Sequence, residues 1–277
     1  HYQSTPSLHE IQDALLHSSY LAEKIEQKFG YIVKRGRLSL VDQRLRRHAI
    51  AQDKWKILRR CAPFLAMAPF VRGLGGSGSL AVDNTKFSSD LDILVVVDEG
   101  RIWTTRLALL IISQLLGRRR KYDSKHAPDM LCLNHYLSMN RLTVSNDIQN
   151  ICMAMQYAML VPIFDDEKMR TFRQRNSRWI DDYVHVPVPP TLQHQYTIHI
   201  PRILMFIKKQ FELLLREPIG DAIERQAERL QQWIILRHWA KKGGAPEYGR
   251  IVLTANELAF HPDTKVPAIV DAFAAAP

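Results

Sequence analysis

Apolar residues recur at helical spacing through both ends of this chain and gather into short continuous runs in its middle. Leu8, Ile11, Leu15 and Leu16 form one stripe behind Ser7 and Glu10, a capping-box pair, and predict a helix over "SLHEIQDALL". A second helix is expected in "SSYLAEKIEQKF" (18–29), with Ser18 or Ser19 as N-cap, Leu21, Ile25 and Phe29 on one face, and Gly30 as its stop. "GYIVKRGRLSLV" reads as two short β runs about a Lys-Arg-Gly-Arg turn. Helix, helix, hairpin is the order of a winged helix, so residues 1–44 are read as a winged-helix-like module. Its second helix would carry Lys24, Gln27 and Lys28 to nucleic-acid phosphates, with Lys34, Arg35 and Arg37 on the wing. The same order also suits a docking or linker module.

A basic amphipathic helix is expected next, over 45–64, with a loose apolar face of Ile50, Trp55, Ile57 and Leu58 bridging to the centre. Between 65 and 184, strands and helices interleave. "APFVRGLGGSGSLAV" predicts a strand feeding a glycine turn and a helix start, and "DLDILVVV" a buried strand. Residues 101–116 read as a core helix ended by Gly117, 129–138 as another strand, and 147–164 as a Met-rich helix stopped near Pro162. Interleaving of this kind argues for an α/β (α+β) domain. The prolines at 187, 189 and 190 make a stiff linker to a helical C-terminal region, 185–277, which closes on a short strand, a turn and a loop in "GRIVLTANELAFHPDTK".

Composition narrows the function classes. The chain has 277 residues, enough for a substantial core, and a formal charge of +10. Positive residues concentrate between Lys34 and Arg60 and again over Arg118 to Lys121, a field that suits polyanions when it is not simply a solvated face. The longest apolar run, "LALLIISQLL", is too short to span a bilayer, and no signal-peptide pattern opens the chain, so a soluble, cytoplasmic protein is expected. Three scattered cysteines, Cys61, Cys132 and Cys152, read as reduced core residues rather than a disulfide framework.

The candidate chemistry lies in "GLGGSGSLAVDNTKFSSDLDILVVV". Asp90 and Asp92 are two apart on a strand, so both leave one face, about 6 to 7 Å apart at Cα. Two such carboxylates repel unless a cation sits between them, and Mg²⁺ suits the position, with Mn²⁺ an alternative: a hard ion taking one or two carboxylates and filling its shell with substrate phosphate. Upstream, Gly75, Gly76, Ser77, Gly78 and Ser79 would let backbone amides approach that phosphate, with a helix start adding its dipole. A phosphate cradle joined to a metal pair points to phosphoryl or nucleotidyl transfer from an NTP.

"GSGSLAVDNTKFSSDLDILVV" resembles the signature of the DNA polymerase beta-type nucleotidyltransferase superfamily, in which a Gly-Ser turn precedes an Asp-x-Asp strand. Gly78 and Ser79 match the Gly-Ser, and Asp90 and Asp92 match the two metal carboxylates. "RIWTTRL", "GRRRK", "LCLNHYL", "NSRWI" and "ELAFHPDTK" further resemble blocks of a bacterial subgroup of nucleotidyltransferase-domain proteins without a settled activity. The resemblance implies a Mg²⁺-dependent enzyme that transfers a nucleoside monophosphate to an acceptor hydroxyl. It also implies a third carboxylate on a neighbouring strand, where this chain offers Asn134, on a face expected to carry Cys132, Asn134 and Tyr136. An amide can ligate Mg²⁺ weakly but accepts no proton. Three accounts stay open: a base from elsewhere (Asp129, Asp123 or Asp147), a substrate needing none, or a catalytically silent module that binds nucleotide or nucleic acid.

Remaining residues carry divided readings. Arg106 either reaches a phosphate or snorkels past Trp103. Arg118, Arg119 and Arg120 either hold a polyanionic acceptor, with RNA or tRNA implied by the two basic segments, or end a helix in solvent. His126 and His135 lack a partner at metal-ligand spacing, and Met153, Met155 and Met159 read as core filler.

Overall fold

The capping box of the first helix closes as its spacing requires. Ser7 Oγ accepts from the Glu10 amide while Glu10 accepts from the Ser7 amide, opening α1, Leu8–His17. These coordinates are a computed structural model, describing residues 6–120, 127–184, 195–216, 218–240, 250–261 and 266–275. The 187–190 prolines therefore lie outside the described residues.

The second helix departs from expectation. α2 covers only Ser19–Lys24, capped by Ser18, and the chain then turns into a hairpin of β1, Ile25–Lys28, and β2, Tyr31–Lys34. Phe29 (φ 52°) and Gly30 (φ 77°) both sit in the left-handed region, the geometry of a two-residue hairpin turn, so Gly30 serves that turn rather than a helix end. Gln27 and Lys28 consequently stand on a strand, and the recognition helix of the winged-helix reading is not formed. Lys28 pairs with Asp42 at 2.8 Å. The expected second β run is helical instead, because α3 begins at Ser39 and continues to Ala66.

α3 is a core element rather than a bridge. Trp55 and Leu58 of the expected face are buried, and Cys61, Ala62, Leu65 and Ala66, also buried, extend the stripe beyond it. Each large apolar side chain taken from water there contributes about 1.5–3 kcal/mol. From there the chain runs through β3, Val71–Gly76; α4, Gly78–Ala81; β4, Leu91–Val97; α5, Ile102–Leu115; and β5, Leu131–Ser138, as the apolar runs predict. A 3₁₀ turn, Asn146–Ile148, precedes α6, Ile151–Ala158. Pro162 does not end that helix: it stands in β6, Val161–Phe164, an edge strand, where a missing amide donor is tolerated. α7, Asp166–Asp181, follows.

Two helices, α8 (Arg202–Leu214) and α9 (Ile219–Ala240), lead to β7, Arg250–Leu253, β8, Glu257–His261, and α10, Val266–Ala274. The terminal segment is thus a hairpin, not a strand and a loop. It completes a mixed six-stranded sheet of order β6-β3-β4-β5-β8-β7, in which only β4 and β5 are parallel. Because β8 pairs with β5, the sheet crosses the 184/185 division, and the 185–277 segment is not a purely helical appendage. The mixed α/β class expected is observed. α3, α5 and α9 cover one face of the sheet with Leu91, Ile93, Val95 and Val97; α6 and α7 cover the other with Leu94 and Val96. No helix among the described residues is long and apolar enough to cross a membrane.

Candidate metal centre on the Asp90–Asp92 strand

Strand alternation places the two aspartates. Leu91 and Ile93 are fully buried on the α3 side, so Asp90 and Asp92 leave β4 on the opposite face, at the end of the strand nearest the β3–α4 turn. The Ser77 amide donates to the Asp92 carbonyl at 3.0 Å, carrying the β3–β4 ladder one residue past its last strand pair. Gly78 follows with φ +64°, and a Cβ there would lie 2.5 Å from Asp92 Oδ2. Both the backbone angle and the close approach require glycine at 78. The turn and the Asp-x-Asp strand therefore meet in space, as their spacing suggests.

The rest of the glycine run has another purpose. A Cβ at Gly76 would stand 2.7 Å from the Trp55 indole, and one at Gly75 2.9 Å from Met169 Sδ; these glycines let α3 and α7 pack directly onto β3. Gly76 is thus a packing residue, not part of a phosphate cradle. Ser77 is buried, with its hydroxyl 3.4 Å from Gln156 Nε2, and the Ser79 hydroxyl donates to Thr85 Oγ1 at 3.1 Å. Gly78 and Ser79, both half-buried, are the exposed part of the turn.

β5 supplies the other wall. In its parallel register Asp92 pairs with Cys132 and Leu94 with His135, so β5 carries one extra residue, a bulge at Leu133–Asn134. The bulge corrects the expected alternation. Cys132 and Asn134 face the aspartates, but His135 joins that side too and Tyr136 is thrown into the α3 core. Asn134 Nδ2 donates to Asp92 Oδ1 at 3.2 Å, while its buried Oδ1 has no hydrogen-bond partner among the described residues. The position where the superfamily resemblance implies a third carboxylate therefore holds this amide.

Two residues join the site that its sequence motif does not name. Donor atoms of Asp90, Asp92 and Cys132 all lie within 4.8 Å of one another. Arg120 reaches over them, one guanidinium nitrogen 2.5 Å from Asp90 Oδ2 and 2.9 Å from Cys132 Sγ. Burial pushes the Asp92 carboxyl up to about 7, helped by the charge of Asp90 and opposed by the Cys132 hydrogen bond, Arg120 and Asn134. Burial, then the charges of Asp92 and Asp90, pushes the Cys132 thiol well up. Crowded acids, a thiol and an orphaned amide oxygen form a donor set able to accept a divalent cation, with the carboxylates and the amide suiting Mg²⁺ or Mn²⁺.

Other expected site residues lie elsewhere. Arg106 is buried on the far face of the sheet, donating to Gln231 Oε1 at 2.5 Å with its guanidinium 4.8 Å from the Phe260 ring, so it binds no phosphate at this site. Asp129 is committed to buried Lys54 at 2.6 Å, which also donates to the Phe87 and Ser89 carbonyls. Asp147 stands on the 3₁₀ turn, and Asp123, Lys121 and His126 lie outside the described residues. Arg118 holds the Asp129 carbonyl at 3.2 Å while its own carbonyl accepts from Leu131, so the Arg118–Arg120 segment lines β5 rather than forming a free basic knot. In the other basic segment, Arg44 and Arg47 clamp the 82–84 loop, leaving Lys34, Arg37, Arg46, Arg59 and Arg60 exposed.

Comparison with protein-family models, with curated proteins and with solved structures finds no match to this chain.

Proposed function

We propose that the protein is a divalent-metal-dependent nucleotidyltransferase, moving a nucleoside monophosphate from an NTP to an acceptor hydroxyl. One observation carries the reading: a left-handed glycine, Gly78, where a Cβ would meet Asp92 Oδ2 at 2.5 Å, lets the Gly-Ser turn close against the metal-type carboxylate pair. Asp90 and Asp92 hold the divalent ion, and Gly78 and Ser79 receive the NTP phosphates. Bound there, the metal supplies charge neutralisation to the triphosphate and lowers the cost of pyrophosphate leaving. Asn134 orients Asp92 through its amide hydrogen and offers an oxygen to the ion, but takes no proton. The acceptor hydroxyl therefore loses its proton to solvent or to substrate phosphate rather than to a β5 carboxylate. Exposed Lys34, Arg37, Arg46, Arg59 and Arg60 favour RNA, tRNA included, as acceptor, without excluding a protein or a small molecule.

Incubation with each labelled NTP, Mg²⁺ or Mn²⁺, and pooled cellular RNA and protein tests the reading. Label transfer by the wild type and none by Asp90→Ala/Asp92→Ala supports it; equal transfer by both removes it. A second reading, a catalytically silent nucleotide- or nucleic-acid-binding module of this kind, is favoured by Asn134 and by the Arg120–Asp90 pair. It expects salt-sensitive binding with no turnover under any metal.

A further inference from the structure

We propose that Cys132 is a ligand of the cation held at Asp90 and Asp92, which gives the centre a preference for a thiophilic divalent ion of the Co²⁺/Zn²⁺ class over Mg²⁺. The inference deepens the cation-site reading above and rests on it.

The three cysteines occupy different surroundings. Cys61 packs within the α3 cluster and Cys152 against the α6–α7 cluster, whereas Cys132 stands among Asp90, Asp92 and Arg120. Strand register fixes that placement, because Asp92 and Cys132 are direct partners across the parallel β4–β5 pair. The three donor atoms lie within 4.8 Å of one another, close enough for a small inward shift to bring them onto one ion with bonds of about 2.0–2.3 Å to oxygen and sulfur. Arg120 already demonstrates the geometry: a single cationic nitrogen touches Asp90 Oδ2 and Cys132 Sγ together, at 2.5 and 2.9 Å. A bound cation would take over the role of that guanidinium charge beside Asp90 and Cys132. Asn134 donates to Asp92 Oδ1 through Nδ2, and its Oδ1 is buried without a hydrogen-bond partner among the described residues, a further oxygen donor next to Asp92.

Sulfur decides the choice of ion. Mg²⁺ binds oxygen and sheds water reluctantly, gaining little from a thiolate, while Co²⁺, Zn²⁺ and Cd²⁺ gain much. On binding, a metal–sulfur bond forms, the Cys132 proton leaves to solvent, and the Arg120 guanidinium is displaced to the rim.

Cobalt reads this directly. The full chain carrying Cys61→Ala and Cys152→Ser keeps Cys132 as its one thiol, and Co²⁺ titration is followed by the sulfur-to-cobalt charge-transfer absorbance and by calorimetry, with Mg²⁺ in parallel. The expected result is a saturable charge-transfer band. Cys132→Ser, folded by circular dichroism, should lose that band and about 10–100-fold in Co²⁺ affinity, with Mg²⁺ affinity changed less than about threefold; Arg120→Gln should bind Co²⁺ more tightly. Co²⁺ binding without the band, or unchanged affinity in Cys132→Ser, overturns the assignment of sulfur while leaving the aspartate pair intact. Binding that Asp90→Asn/Asp92→Asn does not weaken overturns the cation site itself.

Discussion

Asn134 and His135 are neighbours on β5, and the bulge sends both side chains to the same face, yet they enter polar clusters of opposite character. The His135 ring lies between Glu257 Oε1, 3.0 Å from Nε2, and the Tyr157 hydroxyl, 2.6 Å from Nδ1; Ser145 donates to Glu257 through amide and hydroxyl. That cluster is sealed under α6 and its groups are matched. The Asn134 cluster has two carboxylates side by side, an arginine half in solvent and an amide oxygen without a partner among the described residues. A buried polar network stabilises when every group is satisfied, and an unsatisfied one marks a place kept for something else. By that criterion the His135 network is structural, and the unmatched groups of the Asp92 cluster support the proposed cation site.

Breaking the sealed network should cost most. His135→Ala or Glu257→Ala leaves a buried partner uncompensated and should lower unfolding free energy by about 3–5 kcal/mol in denaturant titration, whereas divalent-ion affinity in the folded fraction should be unchanged. Asp92→Asn should do the reverse. It removes a repelled, buried carboxylate, so in chelator at pH 8 the variant should be more stable than wild type by on the order of 2 kcal/mol, while losing cation binding.

Their pH dependences should oppose one another. Asp92 holds its proton to about 7 in the folded chain against 3.8 for a free carboxyl, so the metal-free protein should lose stability as pH rises between those values. Burial pushes the Glu257 carboxyl up, but hydrogen bonding and charge from His135 and hydrogen bonds from Ser145 outweigh it and hold it below 4.5. Its contribution is present above that pH and should vanish as pH falls through the lowered folded value. Unfolding measured across pH 3–8 in chelator separates the two, because Asp92→Asn should flatten only the upper limb. The smallest effect is expected from Tyr157→Phe, which removes one hydrogen bond from His135 and should cost about 1 kcal/mol.

Much of this was legible in residue order, for identifiable reasons. The α1 capping box, the β4 alternation and the Gly78 turn are local, and local spacing reports them. The β5 bulge is not: simple alternation puts Tyr136 beside Asp92, and only pairing with β4 reveals the extra residue. Arg120 escapes for the same reason, since a basic knot reads as solvent-facing until β5 pulls it across Asp90. The first hairpin was hidden by Phe29, whose left-handed backbone no side-chain pattern announces. Gly76 resembles Gly78 in sequence but stands in the strand against Trp55, whereas Gly78 is left-handed and stands against Asp92.

The claim beneath all of this is that Asp90 and Asp92 hold a divalent cation. Mn²⁺ binding followed by electron paramagnetic resonance tests it most directly. Wild-type protein should show a saturable site that Asp90→Asn/Asp92→Asn abolishes and His135→Gln leaves in place; equal Mn²⁺ binding by the wild type and the double aspartate variant would contradict the account.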